Sequence, residues 1–209
     1  MPDRPLRLVV VAGTGTEVGK TWAAARMIEA LRGNGTSVAA RKPAQSFTPG
    51  TPTDAEILAD ASGDAPSVVC PQHRWYEVPM APPMAAAALG RPTFTIADLA
   101  SEVTGSWPSP SVDWGLVELA GGPRSPMASD GDAADLAAAL GPDLTVLVAD
   151  AGLGTIIAVR LSVAVLPPPI VVLLNRYNDR VDVHVRNGAW LGDSGLTVVT
   201  DPVAAVRSR

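Results

Sequence analysis

Short, unbroken apolar runs alternate along this chain with stretches rich in Ala and Leu. Leu8-Val9-Val10-Val11, Thr145-Val146-Leu147-Val148 and Ile170-Val171-Val172-Leu173-Leu174 carry no polar alternation, the pattern of strands covered on both faces. Strands are predicted near 6–12, 37–41, 113–119, 144–149, 170–174 and 196–199, and helices beginning near 20, 53, 95, 132 and 155. This alternation implies parallel strands joined by crossover helices. The expected fold is therefore α/β: a three-layer, doubly wound, mostly parallel sheet. Gly33-Asn34-Gly35 supplies a left-handed cap for the first helix. The Pro-rich stretch from Pro66 to Pro83 reads as a long loop over the sheet's edge or carboxyl end, and Pro167-Pro168-Pro169 as a stiff lead into a strand. With no internal repeat or linker, one domain over residues 1–209 is expected.

The first strand runs into Gly13-Thr14-Gly15-Thr16-Glu17-Val18-Gly19-Lys20-Thr21, and a helix-forming run, Trp22-Ala23-Ala24-Ala25, follows. Strand, glycine loop and helix in that order make a phosphate-binding loop (a P-loop). Its glycines let backbone N–H groups close around phosphate oxygens at a positive helix end. Lys20 is placed to reach the β- and γ-phosphates, and the Thr21 hydroxyl to ligate Mg²⁺. The leading glycine, Gly13, sits one position early, with Thr14 at the usual place. Trp22, inside the helix, is expected in the core.

Ligands of open parallel sheets collect at the carboxyl ends of the strands. Lys42, after the second strand, is either a solvated strand-end lysine or a cation facing the γ-phosphate from the side opposite Lys20. Asp54 stands at a helix start in Thr53-Asp54-Ala55-Glu56, as a first-turn charge or a Mg²⁺ ligand. Glu118 ends an apolar strand, where burial without a cation is costly, so a metal contact is preferred to a structural salt bridge. Gly121 and Gly122, just beyond it, permit close backbone approach to a substrate.

The net charge of −5, without a basic patch, argues against nucleic acid as a partner. Cys70 stands alone and suits a reducing compartment, as a small buried residue rather than a nucleophile. His73 and His184 lack metal-ligand spacing and read as surface or packing residues. Trp75-Tyr76 reads as a cover for the sheet edge or a subunit contact, and Asp132 and Asp135 as an acidic first turn. No apolar run approaches the roughly 20 residues of a membrane span, and a cytoplasmic protein is expected.

Taken together, Gly13 to Thr21, Lys42-Pro43-Ala44-Gln45-Ser46, Thr53-Asp54 and Val117-Glu118-Leu119-Ala120-Gly121-Gly122 resemble the dethiobiotin synthetases in order and spacing. The resemblance continues through Pro79-Met80-Ala81-Pro82-Pro83-Met84, Gly152-Leu153-Gly154-Thr155-Ile156 and Leu174-Asn175, and so covers nearly the whole chain. The early glycine is that family's own form of the loop. The resemblance implies an ATP-dependent enzyme that carboxylates 7,8-diaminononanoate with CO₂ or bicarbonate and closes a cyclic urea. It implies Mg²⁺ held by Thr21, Asp54 and Glu118, with ATP as co-substrate. Lys20, Lys42 and Thr16 become catalytic, and Thr16, Lys42 and Ser46 line the amine and carbamate region beside Glu118 and Gly121. The nucleotide would lie on Gly13 through Thr21, with Asn175 at the adenine and Pro202 bordering the same pocket. A homodimer with substrate across its interface is implied as well.

Three departures from the family pattern stand out. Leu119 replaces a usual glycine and either crowds the substrate or repacks its loop. Ile157-Ala158 replaces a usual Asn-His near the substrate's carboxylate tail, and the chain stops soon after Pro202. These leave two further readings: a related P-loop ligase acting on another amine or acid, and a nucleotide-binding switch. Switches of that kind tend to carry a second lysine within the loop, and this loop has none.

Overall fold

The computed structural model describes residues 4–207, so the outermost residues of the expected domain lie outside it. Six parallel strands form the central sheet: β1 (Arg7–Gly13), β2 (Val38–Arg41), β5 (Trp114–Glu118), β8 (Leu144–Asp150), β9 (Ile170–Asn175) and β10 (Thr197–Val199). Their order is β10-β9-β8-β1-β5-β2. Each agrees with its sequence expectation to within one residue per end. β1 lies between β5 and β8, where the chain first winds to one side and then to the other. Its carboxyl end is therefore the topological switch point at which such sheets bind ligands.

Helices cover both faces. On one lie α1 (Lys20–Gly33), α2 (Asp54–Ser62), α3 (Pro66–Val69) and α9 (Pro202–Arg207); α4 (Pro82–Ala88), α5 (Ile96–Gly105), α6 (Ala133–Leu140), α7 (Thr155–Val163) and α8 (Asp182–Asp193) pack toward the other. The helices expected near 53, 95 and 132 begin one residue later, because Thr53, Thr95 and Asp132 are N-caps. Each closes a reciprocal capping box with the acid three residues on, Glu56, Asp98 or Asp135.

Two expectations are corrected. Trp22 is 51 % exposed. α1 buries Lys20, Ala23, Ala24, Met27, Ile28 and Leu31, a helical stripe from which position 22 is rotated away. The stretch from Pro66 to Pro83 is not one long loop. It holds α3, a 3₁₀ turn (Gln72–Arg74), strand β4 (Trp75–Tyr76), paired with β3 (Gln45–Ser46), and the start of α4. Pro66, Pro82 and Pro83 occupy first helical turns, where proline's missing N–H costs nothing. Tyr76 is sealed in the core, and the Trp75 indole donates to the Cys70 carbonyl. A short antiparallel pair, β6 (Pro126–Ala128) and β7 (Gly131–Asp132), precedes α6. Among the described residues no helix is long and apolar enough to cross a membrane.

Candidate functional site

The phosphate loop connects β1 to α1 at the switch point. Gly19 caps α1 with φ 91°, a left-handed backbone, and a Cβ there would collide with the Asn175 amide. A Cβ at Gly13 would come within 2.7 Å of Lys20 Cδ, so the early glycine makes room for the lysine stem. No side chain caps α1 and no acid stands in its first turn. Its leading N–H groups are thus free to meet an anion. Lys20 is largely buried and donates to the Gly15 carbonyl at 2.7 Å. Burial, then the Lys42 charge, lowers its pKa to about 8.

Beside Lys20, the ends of β2 and β5 and the starts of α1 and α2 bring a second cluster together. Lys42 Nζ lies 2.7 Å from Asp54 Oδ2 and 2.7 Å from Glu118 Oε1. Thr21 Oγ1 stands 2.7 Å from Asp54 Oδ1 and 3.0 Å from Glu118 Oε1. The cap of α2 is made by Thr53, which leaves the Asp54 carboxylate free to face this cluster. Burial alone would lower the Lys42 pKa, but the two carboxylates outweigh it and hold the ammonium above its ordinary range. Asp54 is held low, chiefly by the Lys42 charge, whereas burial pushes Glu118 up.

Glu118 Oε2 is buried without a hydrogen-bond partner among the described residues. A hydroxyl, two carboxylates and one unsatisfied carboxylate oxygen beside a phosphate loop suit Mg²⁺, which takes one or two carboxylates and completes its shell with phosphate and water. No larger group of His, Cys, Asp and Glu gathers elsewhere among the described residues. Lys42 is accordingly not a solvated strand-end lysine, and Glu118 makes with it a buried salt bridge, the arrangement that sequence ranked second to a metal contact.

One cavity of about 570 Å³ is lined by Thr16, Glu17, Gly19, Lys20, Thr21, Lys42, Ser46, Asp54, Glu118 and Gly121, all expected from sequence. The Ser46 hydroxyl, on its rim, donates to the Met80 carbonyl. Thr14 and Gly15 face a neighbouring cavity of about 740 Å³, while Gly13 and Val18 shape the loop from behind. Asn175 is not turned outward: its amide donates to the Val18 carbonyl at 2.8 Å. Pro202 is buried at the start of α9. Leu119 is 1 % exposed within the apolar core and bonded through its N–H to Val11, so it repacks its loop and lines none of these cavities.

Gln45 and Arg176 line the same cavity and were missed as site residues. Gln45 accepts from the Ala55 N–H at 2.9 Å, which leaves its buried Nε2 unpartnered. Its polar type directly after the strand-end run Lys42-Pro43-Ala44 was the available signal. For Arg176 the signal was a cation directly following a strand-end asparagine. The thiol of Cys70, pushed up to about 12 by burial, is inert. His73 pairs with Glu102 at 3.1 Å, away from the cavity.

Residues 7–184 match the AAA domain family AAA_26. The ATP-dependent dethiobiotin synthetase of Caulobacter vibrioides (strain NA1000 / CB15N) is 39 % identical over 153 residues, covering 72 % of this chain and 69 % of that protein. The enzyme of the same name from Anaeromyxobacter dehalogenans (strain 2CP-C) is 37 % identical over 187 residues, covering 86 % and 81 %. The chain belongs to the dethiobiotin synthetase family. Among solved structures, chloroplast FtsY from Physcomitrella patens superposes with a TM-score of 0.55 at 14 % identity, over 95 % of this chain and 58 % of that one. pNOB8 ParA, solved bound to nonspecific DNA, gives 0.53 at 14 % identity over 97 % and 81 %. These likenesses place a dethiobiotin synthetase within the wider P-loop fold. Across that fold distance identity is too low to carry function.

Proposed function

We propose that this protein is an ATP-dependent dethiobiotin synthetase, which carboxylates 7,8-diaminononanoate and closes its ureido ring. One amine takes up CO₂ as a carbamate, and a carbamate oxygen attacks the γ-phosphorus of ATP, releasing ADP. The second amine then attacks the carbonyl of the mixed anhydride. Phosphate departs with the C–O electron pair, and the amine protons pass to solvent.

An anionic carbamate meeting an anionic triphosphate needs fixed positive charge on both sides of the reacting atoms. Lys20 supplies it from the loop and Lys42 from the strand end. Thr16 and Ser46 border the carbamate end, and Gly121 allows close approach. Thr21, Asp54 and Glu118 would hold Mg²⁺, whose charge would neutralise the phosphate oxygens. Orientation supplies most of the acceleration, with no covalent enzyme intermediate.

The observation that carries this reading is the Lys42–Asp54–Glu118 cluster facing the phosphate loop across one cavity, in a chain 39 % identical to a dethiobiotin synthetase. The test measures phosphate release with ATP, Mg²⁺ and bicarbonate, with and without the diamine, together with mass-spectrometric detection of dethiobiotin. Diamine-dependent release with product supports the reading. Hydrolysis indifferent to the diamine, without product, defeats it.

One observation favours a second reading, a related diamine with a different tail. Ile157, Ala158 and Leu161 wall one side of the 740 Å³ cavity in place of the family's usual Asn-His donors, although Arg124 and Ser125 line it beside Pro123 and Pro126. Faster turnover of a diamine lacking the carboxylate would select it. We further propose a homodimer seated on α7, whose outer face exposes Ile157 and Leu161 (64 and 68 %), and on Leu153 (96 %) in the turn before it. The small-molecule partners and the single buried thiol suit the cytoplasm.

A further inference from the structure

The carbonyls of Glu17 and Val18, adjacent in the phosphate loop, are gripped by adjacent residues at the end of β9. Arg176 Nη2 donates to the Glu17 carbonyl at 2.7 Å, and Asn175 Nδ2 to the Val18 carbonyl at 2.8 Å. A trans peptide points its N–H opposite to its C=O. Holding both carbonyls toward β9 therefore turns the N–H groups of Val18 and Gly19 the other way. Glu17 and Arg176 share an unusual backbone: each has φ 57°, left-handed, and neither is glycine. Residues with a Cβ disfavour that region and stay there only when their surroundings hold them. The Arg176 guanidinium is itself oriented by Asp150, whose Oδ2 it meets at 2.9 Å. Asp150 Oδ1 in turn accepts from the Gly152 N–H at 2.9 Å, ahead of α7.

We infer that Arg176 is a positioning residue for the reacting nucleotide: oriented by Asp150, it holds Glu17 in its left-handed conformation so that the loop presents its N–H groups to the β- and γ-phosphates. This rests on the proposed ATP reading of the site. The role differs from that of Lys20, because Arg176 acts through the loop backbone. Removing it loosens phosphate binding and leaves chemistry on bound nucleotide nearly intact.

The test compares wild type, Arg176→Ala, Arg176→Lys and Asp150→Asn by KM for ATP, kcat at saturating ATP, and direct titration with ATP and inorganic tripolyphosphate. Loss of one charge-assisted hydrogen bond predicts that Arg176→Ala raises KM and Kd for ATP about 10-fold, with kcat changed less than about 2-fold. Tripolyphosphate should weaken by the same factor. Arg176→Lys, which keeps a charged donor, should recover most of the loss. Asp150→Asn should raise the same constants by about 3-fold. Unchanged ATP affinity in Arg176→Ala overturns the inference. So does weakened ATP with unchanged tripolyphosphate, since Arg176 would then touch base or ribose directly. Should the alanine variant not fold, Lys and Asp150→Asn carry the comparison. A wild-type protein that binds ATP but makes no dethiobiotin defeats the reaction assignment, while the titrations still decide the clamp.

Discussion

Lys42 Nζ lies 2.7 Å from Glu118 Oε1, with 2 % and 1 % of the two side chains exposed. Burying two charges together is costly unless their geometry is good and further partners share the load. Asp54 and Thr21 share it here. The fold keeps a desolvated ammonium at the end of β2 where negative charge would gather on the transferring phosphoryl group. An ammonium fixed before substrate arrives needs no reorganisation during the reaction.

Lys42→Met should therefore lower kcat by about 100-fold or more, while Kd for ATP changes by less than about 3-fold. It should also cost about 2–4 kcal/mol of stability, because Glu118 is left buried without its counter-charge. Steady-state kinetics, nucleotide titration and thermal melting check the three parts. Equal losses in kcat and affinity would reduce Lys42 to an ordinary nucleotide anchor.

Lys20→Ala behaves differently. Its ammonium already has a partner in the Gly15 carbonyl, so the loop loses one hydrogen bond and its only cation. Nucleotide turnover should become undetectable, with a stability change within about 1 kcal/mol. Substantial remaining turnover would sink the phosphate-loop assignment.

Leu119→Gly tests a departure that sequence left open. The side chain is 1 % exposed in the apolar core, not in the cavity beside the phosphate loop. Removing it should destabilise the protein by about 3–5 kcal/mol through the cavity left behind, with a further penalty for glycine's backbone freedom. Faster dethiobiotin formation, the outcome expected of a crowding leucine, should not be seen in rate assays below the melting range.

These cases show what was legible beforehand. The sheet could be read because its strands are continuous apolar runs, and three helix starts because capping boxes mark them. Helix α8 was missed because Asp182–Asp193 holds two glycines and buries only Asn187 and Leu191. Its helicity depends on packing, with Asn187 binding the carbonyls of Ala151 and Gly152. The site residues were legible as chemistry at strand ends. Their pairing was not, since contacts of Lys42 with Glu118 and of Arg176 with Glu17 span 76 and 159 residues. The side into which Leu119 points is likewise set by tertiary packing.

Leu161→Glu tests the proposed dimer. Ile157 and Leu161 lie one turn apart on the outer face of α7, and Leu153 is exposed in the turn just before it. A glutamate in that stripe should convert a dimer to a monomer in light scattering, with the melting temperature of the separated protomer little changed. A wild type already monomeric at micromolar concentration ends the dimer proposal.

A pH-sensitive ion pair lies away from the cavity, between Arg74 and Glu102. Glu102 receives Arg74 Nε at 2.9 Å and Arg74 Nη2 at 2.6 Å, with His73 at 3.1 Å. Burial by itself would raise the Glu102 pKa, but the Arg74 hydrogen bonds and the flanking charges outweigh it and hold the carboxyl below its ordinary value. A depressed folded-state pKa means that the contribution to stability is complete above the unfolded value, about 4.3. It is lost as pH falls through the folded value. Glu102→Gln should thus melt about 2–4 °C below wild type near pH 7, equivalent to about 1 kcal/mol for a pair still 28 % exposed on the glutamate side. The gap should begin to narrow as pH falls below about 4.3 and close only below the depressed folded value, where both proteins carry a neutral side chain at position 102. A calorimetric series from pH 7 down to the lowest pH at which both proteins still fold decides it. A gap that stays constant over the whole series assigns the stabilisation to the packing of the side chain and not to the ion pair.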